Sequence, residues 1–288
     1  MPSPEPGLSG PDDFWSATDF PYTCLRDQPR TSALGAVIAA TVRPGDVVLD
    51  AGAGTGILSL YAARAGAGRV HAVENDPVLC RYLRETVHRN GYDDVIEVLE
   101  ADIRDFTAPA VDVALIEMVE TALVEESLVS AYNALLATGT LGPRTRCLPG
   151  AYTTVAQPVL TDDRFGDFEV VALRHDWSFY DRDPGLWTPS RWQAAGEPRV
   201  IWSATFAGTP VPVEVAVELA VPDQRANGLR LTGELGMPDG STSTEFASLN
   251  GPKIVPLPPR PAGAELLAVE YLLSGGFANF TMAWRSGR

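Results

Sequence analysis

Lysine is nearly missing from this chain: Lys253 is the only one. Positive charge therefore rests on arginine, and acids outnumber bases to give a formal net charge of −15. Such a surface repels a phosphate backbone, which argues against nucleic acid as a partner. It suits a cationic small molecule, and it suits an acidic, soluble surface equally well. Scarce lysine beside abundant Arg, Ala, Gly and Pro reads as coding bias of a GC-rich genome, not as chemistry. Cysteine is scarce too: Cys24, Cys80 and Cys147 lie far apart with no C-x-x-C. Neither a disulfide framework nor a zinc site is supported, and no metal is expected. No run of about 18 apolar residues is present, so no membrane partner is expected. The opening Met1-Pro-Ser-Pro-Glu-Pro-Gly has neither the basic nor the apolar region of a signal peptide. A cytoplasmic location is expected.

With 288 residues, 45% of them hydrophobic, the chain can build one large core or two modest ones. Its organising stretch is Val47-Val-Leu-Asp-Ala-Gly-Ala-Gly-Thr-Gly-Ile-Leu-Ser59. A short apolar run fits a strand buried on both faces, and Ile57 onward opens a helix. Gly52, Gly54 and Gly56 between them allow a tight turn and let a ligand lie on bare backbone beside the helix N-terminus. A second run, Val70-His-Ala-Val73, ends in Glu74, where an α/β nucleotide fold places the carboxylate that accepts ribose hydroxyls. The spacing is G-x-G-x-G rather than G-x-G-x-x-G, which disfavours a nicotinamide cofactor. An ordinary glycine turn needs neither the flanking elements nor the spaced acid.

Residues 1 to about 12 are rich in Pro, Gly and Ser and are expected to be disordered. Phe14, Trp15, Phe20 and Tyr22 follow, an aromatic cluster that either docks on the core or closes over a ligand. Asp27-Gln-Pro-Arg-Thr31 leads into a helix with Leu34, Val37 and Ile38 on one side. A helix over Pro77–Asn90 and strands over Val95–Leu99 and Val111–Ile116 come next. Glu74, Asp102 and Glu117 thus fall near the carboxyl ends of successive strands, the edge where open parallel sheets bind ligands. After Gly142-Pro143 the character changes. Alternating runs such as Val211–Leu219 and Asn279–Trp284, with turn signals at Asn227-Gly228, Asp239-Gly240 and Gly275-Gly276, predict a mostly antiparallel barrel or sandwich. Trp177, Trp187, Trp192 and Trp202 read as core or interface anchors.

Glu117 and Glu126 are nine positions apart, which puts them on opposite faces of any continuous helix. They converge only if Glu117 lies in a strand-end loop and Glu126 on the helix that Thr121 begins.

The whole of Asp27–Ser127 resembles the catalytic core of the protein arginine methyltransferases, within the class I S-adenosylmethionine-dependent methyltransferases. The matching pieces are Asp27-Gln-Pro-Arg-Thr31, Val48–Leu58, Ala72-Val-Glu74 and the double-Glu loop Glu117…Glu126-Ser127. The glycine motif marks any such methyltransferase; the paired glutamates narrow it to the arginine class. The resemblance implies an α/β, Rossmann-like domain followed by a β-barrel, with residues 13–149 forming the first and 150–288 the second. It implies S-adenosyl-L-methionine as cofactor, held by Arg30, Asp50, Gly52, Gly54, Gly56, Glu74, Asp102, Ile103 and Glu117. It also implies Glu117 and Glu126 as the catalytic pair gripping a guanidinium. Guanidinium is planar, permanently charged and rich in N–H donors, so two carboxylates suit it.

Ile116, Met118, Val119 and Glu120 replace the family's Ser, Trp, Met and Gly around Glu117. Glu120 adds a third carboxylate, expected either to bind a substrate amine or to face water. The family's Thr-His-Trp loop has its best counterpart in Ser248-Leu249-Asn250, with Asn250 in place of the His and Asp27 in place of its partner. Trp15 and Asn250 complete the expected substrate-binding set. No insert is long enough for the family's dimerisation arm, which leaves a homodimer open. These departures favour free L-arginine or a small guanidino metabolite over a protein, giving Nω-methylarginine. The alternatives are peptidyl arginine, another amine of specialised metabolism, or a non-catalytic arginine-binding domain with a decayed cofactor pocket.

Overall fold

The computed structural model describes residues 20–175, 191–238, 242–243 and 251–285. Two compact units emerge. One takes the chain up to Met118, together with Glu125–Leu148 and Ala207–Pro210; the other takes Val119–Val124 and the remainder from Pro149 onward.

The first unit opens with helices α1 (Phe20–Arg26) and α2 (Gln28–Thr41). Asp27 caps α2 by accepting from the Arg30 amide at 3.4 Å, and Pro29 occupies the first turn, where no amide donor is required. Five parallel strands follow: β1 (Val47–Ala51), β2 (Arg69–Glu74), β3 (Ile96–Glu100), β4 (Val113–Leu115) and β5 (Arg146–Leu148). They pair in the order β3-β2-β1-β4-β5, with α3 (Ile57–Arg64), α4 (Pro77–Arg89) and α5 (Leu128–Ala137) in the connections. Val48, Leu49, Val113, Ala114 and Leu115 are wholly buried, as a strand covered on both faces requires. The direction of travel reverses between β1 and β4, which makes their carboxyl ends the switch point where such sheets bind ligands. Asp50 pairs with Leu115 across that junction, so Gly52 and Glu117 leave the sheet side by side. No described helix is long and apolar enough to cross a membrane.

The second unit is antiparallel. The long strand β6 (Ala151–Thr161) alternates half-buried and buried residues, the signature of a sheet with one covered face. The short hairpin β7 (Arg164–Phe165) and β8 (Phe168–Glu169) follows it, then β9 (Arg174–His175), β10 (Trp192–Ala194), β11 (Arg199–Thr205) and β12 (Glu214–Ala220). The last strands are β13 (Gly228–Gly236), β14 (Thr242–Ser243), β15 (Lys253–Pro256), β16 (Leu266–Leu272) and β17 (Thr281–Arg285). β6 is central, paired with β10, β11 and β13, while β12, β16 and β17 form a separate three-stranded sheet. Among the described residues the strands therefore group as antiparallel sheets, without a continuous closed ring of pairing.

Two turn expectations resolve differently. Gly275-Gly276 does connect the paired strands β16 and β17. Asn227-Gly228 is no hairpin turn: Gly228 begins β13, and the Asn227 carboxamide accepts from the Thr161 amide at 2.8 Å. Asp239-Gly240 lies outside the described residues, as do Trp177 and Trp187. Trp202 is a core anchor, with its indole N–H donating to Pro212 O at 3.2 Å. Trp192 lies under the Arg230 guanidinium, 4.4 Å from the ring centre.

Candidate active site

Gly52, Gly54 and Gly56 take φ of +70°, +51° and +80°, a left-handed path that other residues enter at a cost. Gly56 has a second reason to lack a side chain, since a Cβ there would come within 2.2 Å of Leu83 Cδ1. Gly52 lies beneath Met118, whose sulfur would be 3.0 Å from an added Cβ. Asp50 anchors the turn from below. Its carboxylate accepts from the Ser59 hydroxyl at 2.5 Å, and burial pushes its pKa up to about 6 against the pull of the Ser59 donors. Asp50 thus holds the start of α3 in place, and its carboxylate is spent on the protein.

Glu74 ends β2 and is buried. Its Oε1 accepts from the Asn75 and Asp76 amides at 2.9 and 3.0 Å, and its Oε2 from the Gly54 amide at 2.9 Å. Glycine loop and carboxylate are therefore one rigid piece, with acceptor capacity left on Oε2. Asp102 follows β3 with its carboxylate engaged by Arg104, through the backbone amide at 2.8 Å and the guanidinium at 2.6 Å. That pairing holds the Asp102 carboxyl below its usual range. Ile103 beside it is buried.

Arg30 and Glu117, both read from sequence as cofactor-binding and Glu117 also as one of the catalytic pair, form a largely buried ion pair. Burial works against the Arg30 charge, but Glu117 beside it outweighs that and keeps the guanidinium protonated. The pair uses Arg30 Nη2 and Glu117 Oε2. Arg30 Nε is buried with no hydrogen-bond partner among the described residues. Burial first, then the charges of Glu117 and Glu126, push the Cys24 thiol on α1 up to about 12, with Arg30 opposing. Both carboxylates thus lie within electrostatic reach of one sulfur.

The segment between them departs from expectation. Thr121–Leu123 is a single 3-10 turn, and helix α5 starts only at Leu128. Glu126 therefore lies in the approach to the helix, not on it. The backbone shows the break: Ala122 and Leu123 have φ of +68° and +52°, which no α-helix accommodates. Glu120 neither faces water nor stands ready for a substrate amine. It is only 2% exposed, and its carboxylate is paired with Lys253. Trp15 and Asn250 lie outside the described residues.

Cys24, Ser59, Met118 and Lys253 were given no site role from sequence. The solitary lysine was a usable signal for the last; the others had none. A cavity of about 550 Å3 lies beside the loop, lined by Pro21, Leu25, Leu60, Leu79, Tyr82 and Leu83 among others. Its walls are apolar and include none of Arg30, Glu74 or Asp102. The polar groups just described are the better guide to chemistry.

Those groups fit S-adenosylmethionine. Arg30 offers a buried, unpartnered N–H to a carboxylate, the glycine turn offers bare backbone, and Glu74 offers an acceptor to ribose. Comparison with known proteins agrees. Residues 29–141 match the TRM5/TYW2 methyltransferase domain family. An uncharacterized protein of Methanocaldococcus jannaschii is 27% identical over 239 residues, 82% of this chain and 85% of that protein. An arginine N(omega)-methyltransferase of Streptomyces achromogenes is 37% identical over 114 residues, 38% of this chain and 31% of that protein. The chain thus spans about a third of that named relative. In structure, the Trypanosoma brucei PRMT1 enzyme-prozyme heterotetrameric complex with AdoHcy matches with a TM-score of 0.64 at 16% identity. That match covers 94% of this chain and 98% of the other. The chain thus has the fold of the protein arginine methyltransferases, carries a stretch similar to a methyltransferase domain family over residues 29–141, and has an arginine methyltransferase among its sequence relatives.

Proposed function

We propose that the protein methylates a guanidino nitrogen of free L-arginine, or of a small guanidino metabolite, to give an Nω-methylguanidine. The observation that carries this reading is Glu117, fixed by Arg30 where β4 ends beside the glycine turn, with Glu126 closing the same loop nine residues on. The name of the Streptomyces relative supports arginine as the acceptor. When bound, S-adenosylmethionine supplies a methyl group on a positively charged sulfur. Its transfer would replace one guanidinium N–H by N–CH3 as the S–CH3 bond breaks, with the displaced proton passing to solvent.

This chain's residues supply orientation and charge. Arg30 fixes Glu117 through Oε2, which leaves Oε1 for an N–H of the substrate. Glu126 takes a second N–H, and the planar group is held with one nitrogen toward the methyl donor. Both carboxylates stabilise the positive charge that stays on the guanidinium once the sulfur is neutralised.

Labelled cofactor and free L-arginine should yield labelled Nω-methylarginine. Glu117→Gln and Glu126→Gln should each lower kcat by roughly a hundredfold or more. Label appearing only in protein would move the assignment to peptidyl arginine. Full activity in both variants would remove the mechanism. A second readout needs no turnover: each substitution takes away a charge that holds the Cys24 thiol up, so iodoacetamide should label Cys24 faster. Unchanged labelling in both variants would mean that neither acid lies close enough to Cys24 to raise its thiol.

A further inference from the structure

The chain's single lysine is almost completely buried and spends its charge on Glu120. Its ammonium also lies 5.0 Å from the centre of the Phe277 ring, a cation–π contact. Its neighbour across the β9–β15 pairing is His175. Burial, then the Lys253 charge, push the His175 imidazole down to about 3, so at neutral pH it adds no second positive charge. Glu120 is the only acidic group within the buried stretch Val119–Val124.

That stretch belongs to the second unit and is tied into it by several hydrogen bonds. Tyr152 OH donates to Glu120 O and accepts from the Ala122 amide, both at 3.1 Å. Tyr271 OH donates to Ala122 O at 3.2 Å, and Thr121 Oγ1 donates to Gly251 O. The Ser274 and Gly276 amides donate to Leu123 O and Val124 O at 2.9 and 2.8 Å. All of this grips the tip of a loop whose two ends are Glu117 and Glu126. The former is three residues before Glu120; the latter is two residues after Val124.

A buried ion pair is a poor way to add stability, because desolvation consumes most of the attraction and well-packed apolar residues often do as well. Its distinctive property is intolerance of misplacement: a tip that shifts register strands two charges in the core. We propose that Glu120 and Lys253 are positioning residues, a charge lock that sets the register of the Glu117–Glu126 loop and thereby the orientation of the two substrate-gripping carboxylates. The lock also keeps Glu120 from competing with them for a guanidinium. This inference rests on the arginine reading given above for its kinetic test, but not for its structural one.

The experiment compares Lys253→Met, Glu120→Gln and the double variant with the parent protein at 20–25 °C. The folded fraction is taken from the stoichiometry of S-adenosylhomocysteine binding. Removing one partner should lower kcat with L-arginine at least tenfold, while affinity for S-adenosylhomocysteine changes less than threefold. The double variant strands no charge and should recover most of that loss. Cys24 labelling, read by mass on its own peptide, should rise at least threefold in the single variants and return in the double. Should Lys253→Met not fold, Glu120→Gln carries the test, because Gln keeps the volume while removing the charge. Folded single variants with the parent's kcat and the parent's Cys24 rate would overturn the proposal. If the parent protein methylates no guanidino compound, the functional reading falls, and the Cys24 rates alone decide on the lock.

Discussion

Buried beside Ser59, the Asp50 carboxyl keeps its proton to about pH 6 rather than the ordinary 3.8. Between those values the folded protein binds more protons than the unfolded chain, so on account of this group stability falls as pH rises through the window. The swing is of order 2–3 kcal/mol. Asp50→Asn keeps an acceptor for Ser59 and removes the titration, so its melting temperature should fall less than the parent's between pH 4 and pH 6. Melting curves at four pH values settle the comparison; parallel profiles would mean that Asp50 titrates normally. Gly56 tests the turn itself. Alanine there must adopt φ near +80° and push Leu83 aside, which costs roughly 1–3 kcal/mol for the backbone alone. Gly56→Ala should lower the melting temperature by several degrees and weaken S-adenosylhomocysteine binding, both visible in one thermal-shift titration.

Among elements, those written by local chemistry were legible and those written by tertiary contacts were not. Pro77 behind Asp76, the spaced apolar residues of α4 and the Asn90-Gly91 stop all act within one helix, and the observed helix runs Pro77–Arg89 as that pattern demands. Strand β1 and the glycine turn were readable because a doubly buried strand and a left-handed turn leave few choices of residue. The Glu117–Glu126 loop was misread as opening a helix, since Thr121-Ala-Leu-Val carries no helix-breaking residue. What breaks it is remote: Tyr152 and Tyr271 satisfy Ala122 in a left-handed conformation that its own side chain disfavours. The same remoteness hid the partner of Glu120, 133 positions away. The loop therefore makes its own prediction. Tyr152→Phe deletes both bonds to the turn at 120–122 and should cost about 1–3 kcal/mol by leaving the Ala122 amide unpaired. Denaturant unfolding measures it, and a loss below a few tenths of a kcal/mol would mean that the turn holds without Tyr152.

For the molecule as a whole, the division into two units does not follow the order of the chain. Val119–Val124 leaves the first half for the second unit, and Ala207–Pro210 returns to the first. There Tyr132 OH accepts from the Gly208 amide at 2.9 Å and donates to Thr209 O at 3.2 Å. A fragment ending at Leu148 would expose Val119, Ala122, Leu123 and Val124, all buried in the intact protein. It should aggregate when produced alone and be recovered in soluble form when the remainder is co-expressed. A soluble, cofactor-binding fragment would show that the exchange is dispensable. The placement of the one lysine has a practical corollary. An endoprotease specific for lysine has a single target in this polypeptide, the peptide bond between Lys253 and Ile254, and that bond is closed off inside β15. Digestion should therefore stay silent until the strand opens, and then yield two pieces, so that one band on a gel becomes a clock for the breathing of the second unit.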